Sequence, residues 1–109
     1  MNKEEIRSHL HKLIEEVYDV TIDELPTDIF QNIAIYAEAT RTGVPMKNWA
    51  NYRIKKDSKG FTIADDLFIT LLLRTEKVFA FAIKDEEADK IVRIIDLENL
   101  IVSKSLFTF

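Results

Sequence analysis

A chain of 109 residues, 47% hydrophobic and 31% charged, holds enough apolar surface for one compact domain without covalent staples. Two glycines and two prolines argue against a long flexible linker, and the lack of cysteine removes disulfides, thiolate metal sites and thiol catalysis, as fits a reducing compartment such as the cytoplasm. The formal net charge of −4 and the pI near 5.2 run against the basic balance usual in nucleic-acid-binding domains.

The N-terminal MNKEEIRSHLHKL has charges throughout, so it is read neither as a signal peptide nor as a membrane span. Asn2 followed three residues later by Glu5 has the form of a capping box, and Ile6, Leu10, Leu13, Ile14 and Val17 recur at helical spacing. A first helix from Lys3 to Tyr18 is expected, packing one side only. Thr21 and Glu24 suit a further short turn before Pro26. Thr27 is placed to cap a second helix with an inner stripe of Ile29, Ile33, Tyr36, Ala37 and Thr40, stopped by Gly43.

Beyond Val44 to Asn48 the pattern changes. Tyr52 and Ile54 alternate with charges in NYRIKK, and DSKG turns the chain into FTI, which predicts an outer hairpin. Leu67 to Leu73 and Val78 to Ile83 are short apolar runs separated by Arg74 to Lys77 and read as central antiparallel strands, with Ile91 to Ile95 as another. Asp85 to Asp89 then fall in a hairpin loop. Asp96 to Lys104 is open to two readings, since Leu97, Leu100 and Ile101 suit a short helix capped by Asp96 while Ile101, Val102 and the LFTF tail suit a strand, and the helix is preferred. The predicted fold class is α+β: two N-terminal helices on an antiparallel meander of about four or five strands, with a short C-terminal helix, in a single domain.

Catalytic and metal chemistry find little support. KDEEADK has neither the glycine nor the ligand spacing of a calcium loop, and a two-carboxylate magnesium site at Asp65, Asp66 or the loop acids is outweighed by a solvated turn. The strand FAFAIK lacks the carboxylate that a restriction-type nuclease requires before its lysine. His9 and His11 are two residues apart on a helix and diverge, and no nucleophile elbow or phosphate-binding glycine loop is present. The expectation is a non-enzymatic protein without metal or cofactor.

Charge is unevenly distributed. From Leu13 to Thr40 there are seven acids and no lysine or arginine, whereas Arg41 to Phe61 carries a net +5. Spaced carboxylates at Glu15, Glu16, Asp19, Asp23, Glu24 and Asp28 can imitate phosphates and occupy the basic groove of a nucleic-acid enzyme, assisted by Asp85, Glu86 and Glu87. The alternative is direct nucleic-acid binding by the Lys47 to Lys59 hairpin through Lys47, Trp49, Tyr52, Arg53, Lys55 and Lys56. A third reading is an immunity-type or structural module that adds a sheet edge or the LFTF tail to another chain.

The order of an amphipathic N-terminal helix, the acidic TIDELPTDIF and hydrophobic strands ending in IIDLENLI resembles the staphylococcal uracil-DNA glycosylase inhibitor family over most of the chain. The resemblance implies a small inhibitor that presents acids and a few apolar groups to the DNA groove of an enzyme. Asp23, Glu24 and Asp28 would then lie in the acidic contact region, and Glu98 stands where that family has a histidine in its LHN motif. With this departure, the implied target is the broader class of nucleic-acid-processing or host-defence enzymes, met by phage or mobile-element inhibitors that are similarly small and acidic.

Overall fold

The computed structural model describes residues 2–43 and 63–105. The first helix, α1, spans Lys3–Tyr18 and buries Ile6, Leu10, Leu13, Ile14 and Tyr18 along one stripe. Asn2 Oδ1 accepts the Glu5 backbone N–H at 2.8 Å, and Glu4 and Glu5 lie in the first turn, where the helix dipole favours anions. The helix ends at Asp19 with φ 55°, a left-handed conformation that aspartate tolerates better than most side chains.

A single 3-10 turn, Ile22–Glu24, follows. Thr21 makes no side-chain cap there; Glu15 Oε2 reaches forward to take the Ile22 N–H at 3.0 Å. The second helix, α2, runs Phe30–Thr42 and buries Phe30, Ile33, Ala34 and Ala39. Its N-cap is Ile29, not Thr27, whose hydroxyl accepts the Ile29 N–H at 3.2 Å from just outside the helix. The expected inner stripe is rotated accordingly: Tyr36 and Ala37 are half-buried and Thr40 is exposed. Gly43 stops the helix at φ 78°, giving its N–H to the Ala39 and Thr40 carbonyls.

The α+β expectation is overturned in the second half of the chain. Leu67 to Leu73 and Val78 to Ile83 are not paired strands: Ile63–Phe79 is one helix, α3, that runs through the supposed turn at Arg74 to Lys77. The inward set of Ala64, Leu67, Phe68, Leu71, Leu72, Thr75 and Phe79 recurs at three and four residues. Arg74, Glu76 and Lys77 are strong helix formers, and RTEK offers no glycine, proline, asparagine or aspartate to reverse the chain. The helix stops at Ala80, φ 56°, where the Phe81 N–H reaches back to the Glu76 carbonyl at 3.3 Å.

The supposed hairpin loop at Asp85 to Asp89 is a one-turn helix, α4, over Asp85–Ala88. Ile91 to Ile95 is likewise not a strand. It makes one isolated antiparallel bridge, Ile29 to Arg93, in which Phe30 N–H bonds the Val92 carbonyl at 3.0 Å and Ile94 N–H bonds the Asp28 carbonyl at 2.9 Å. The last helix, α5, then covers Ile94–Ser105. Asp96 sits inside its first turn, not at the cap, and reaches back to accept the Val92 and Arg93 N–H groups at 3.0 and 2.9 Å. Among the described residues the fold is all helical, with five α-helices and no strand.

α1 is the central element, contacting α2, α3 and α5. Arg74 meets Glu16 and Phe79 meets His9, so α3 runs antiparallel to α1. Tyr18 stacks on Phe30 at 6.2 Å, and Phe30 packs at 5.4 Å against Phe68, which ties three helices through adjacent rings. Thr75, fully buried, satisfies its hydroxyl on the Leu71 carbonyl at 2.7 Å. No described helix is long and apolar enough to cross a membrane. The expected outer hairpin of NYRIKK and the DSKG turn, the Lys47 to Lys59 cations and the LFTF tail lie outside the described residues, while Ile63, the last residue of FTI, opens α3.

Candidate binding surface

The acids expected to form one partner-facing surface divide into four groups. The first is neutralised by cations from distant elements. Glu16 pairs with Arg74 at 2.8 Å and Asp28 with Arg93 at 2.6 Å, both at the surface. Glu87 pairs with Lys104 at 3.0 Å and also accepts the Lys84 N–H at 3.0 Å, and that backbone bond is the main reason its carboxyl is held below the usual glutamate range. Glu15 is engaged differently, by the Ile22 N–H.

The second group is a single residue. Glu98 is only 2% exposed, on the inward face of α5 between Leu97 and Ile101. Arg7 meets it as a fork, Nε to Oε1 at 2.8 Å and Nη2 to Oε2 at 3.1 Å, which pulls the Glu98 carboxyl below its ordinary range against the opposing effect of burial. Glu98 thus joins α5 to α1 and does not face a partner. Its position in the phase of Leu97 and Ile101 was the available signal, since a carboxylate on an apolar stripe requires an internal cation.

The third group consists of Asp19, Asp23 and Glu24, which are exposed and make no ion pair among the described residues. All three follow the C-terminal end of α1, whose last turn contains no basic residue. The unpaired carbonyls of a helix end carry roughly half a negative charge, so the helix and the carboxylates concentrate negative potential in one place. Asp85 and Glu86, the fourth group, are also exposed, but elsewhere: α4 is tied to Lys104 at the C-terminal end of α5, whereas Asp28 bridges its N-terminal end. The ten positions from Ile94 to Lys104 separate them by about 15 Å of helix. The loop acids and Asp28 are thus attached at opposite ends of α5.

Beside the acidic end, a shallow groove of about 570 Å³ lies between α1, the 3-10 segment and α5, with Ile22, Leu25, Ile94 and Ile95 along it and the Arg7 to Glu98 pair among its lining residues. His11 also lines it, while His9 is turned away: its Nδ1 donates to the Glu5 carbonyl at 2.8 Å and its ring packs edge-on to Phe79. Burial pushes the Tyr18 hydroxyl well above the ordinary tyrosine range, which keeps it neutral within the core. No three acidic or histidine side chains among the described residues come together in a group that could hold a metal ion. Sequence reasoning missed Arg7, Arg74 and Arg93 as partners of the acids because each pairing spans more than half the chain. Comparison with protein-family models, with curated proteins and with solved structures returned no match.

Proposed function

We propose that the protein is a non-enzymatic inhibitor of a nucleic-acid-processing or host-defence enzyme, of the kind encoded by phages and mobile elements. It binds its target through the acidic end of α1. The reading rests on one observation: distant cations neutralise Glu16 and Asp28, yet Asp19, Asp23 and Glu24 are left unpaired beside a helix C-terminus. That arrangement costs the fold some electrostatic stability and offers a basic groove a cluster of fixed anions. The reading uses the charge of TIDELPTDIF and not the order of strands. The absence of cysteine supports placing the chain in the cytoplasm, where such targets act.

The test is capture from nuclease-treated host-cell lysate by the immobilised protein and by a variant carrying Asp19→Lys, Asp23→Lys and Glu24→Lys. The native protein should retain a DNA- or RNA-handling enzyme, in a manner weakened by salt, and the variant should not. Equal capture by both proteins removes the acidic end from the function. Loss of capture after nuclease treatment, with nucleic acid retained before it, transfers the function to direct nucleic-acid binding.

A further inference from the structure

We propose that the outward face of α3 is a self-association surface that pairs antiparallel with the same helix of a second copy. α3 buries one side, and the opposite side is not a plain polar face. Leu73 is 61% exposed and Ile69 is 47% exposed, one helical turn apart. Asp66 lies one turn before this pair and Lys77 one turn after it, both exposed and on the same side of the helix. Thr70, between them, spends its hydroxyl on the Asp66 carbonyl at 2.8 Å and asks nothing of a partner.

The order acid, aliphatic, aliphatic, base is complementary to its own reverse. A two-fold axis beside the middle of the helix sets Ile69 against Leu73 of the second copy and Asp66 against its Lys77, and each contact occurs twice. The antiparallel arrangement also aligns the two helix dipoles head to tail. A parallel pairing would set Asp66 against Asp66 and Lys77 against Lys77. From Asp66 to Lys77 the contact runs about 17 Å, which is small for a protein interface and implies a weak, concentration-dependent dimer.

The test is sedimentation of the full chain over a range of concentrations. The apparent mass should rise from 12.7 kDa toward twice that value as concentration increases. Leu73→Lys should hold it at the monomer. Asp66→Lys and Lys77→Glu should each weaken dimerisation by about tenfold, and the two together should restore it. All three positions are exposed, so the variants retain the native circular dichroism. A monomer at every concentration, a dimer that survives Leu73→Lys, or a charge exchange that fails to restore the dimer overturns the proposal.

Discussion

α1 and α3 are two amphipathic helices of 16 and 17 residues, packed antiparallel against each other, yet their outer faces differ. The exposed side of α1 is polar throughout, from Glu4 and Arg7 to Lys12 and Glu16, while that of α3 carries Ile69, Leu73 and Val78 among its charges. The difference shows that burial follows the phase of a residue on the helix and not its hydrophobicity: Leu71 is fully buried and Leu73, two positions on, is the most exposed large apolar residue described. It also separates two uses of a helix surface. α1 is insulated by water-loving groups; α3 is left able to associate.

The largest losses are expected in α3. If Ile63–Phe79 is one helix, Arg74→Pro removes a backbone donor from its interior and costs about 3 kcal/mol or more in urea unfolding, whereas a turn at Arg74 would accept the proline with little loss. Leu71→Ala should cost about 2–5 kcal/mol, and Leu73→Ala less than about 0.5 kcal/mol, in the same assay. Equal losses at the two leucines would contradict the helical phase.

Acid should loosen the hold of α5 on α1. The folded-state Glu98 carboxyl is held below its ordinary value of 4.5 by Arg7, so its contribution is complete above that pH and is lost as pH falls through the lower, folded value. The melting temperature should fall below about pH 4.5 in the native protein, and less steeply in Glu98→Gln, which has already lost that carboxylate. Asp96 is lowered in the same direction by the Arg93 and Val92 N–H groups and leaves a residual slope in that variant.

Smaller effects are expected at α1. Asn2→Ala removes the cap that meets Glu5 and should cost about 1 kcal/mol. The Glu16 to Arg74 pair joins α1 to α3, but both side chains are 45% exposed, so a double-mutant cycle should return a coupling below about 1 kcal/mol that vanishes in high salt. A much larger value would mean that the surface pair, and not the core, sets the packing of these helices.

These two helices also explain what could be read from the sequence. α1 was legible in the sequence because its cap, its apolar stripe and its polar face agree. α3 was not, because Ile69, Leu73 and Val78 on its outer side fill the gaps in the helical pattern and turn it into two apolar runs. Such runs suit a buried strand as well as a helix, and the lack of turn residues in RTEK was the evidence against a hairpin. The same holds for the candidate surface. The acids were visible as charges, but Glu16 meets a cation 58 positions away and Asp28 one 65 positions away, so which of them remain unpaired depends on the fold.

The Arg7 to Glu98 pair closes a loop of 91 positions, and the Ile29 to Arg93 bridge closes one of 64. During synthesis, the side of α1 that receives α5 must wait for most of the chain, on the order of ten seconds at typical elongation rates. For that interval Arg7 has no carboxylate and the apolar residues of α1 that α5 will meet have no cover. The contacts that join α5 to α1 thus close among the longest loops of the described residues, and loop closure of that length favours their forming after the local turns of α1.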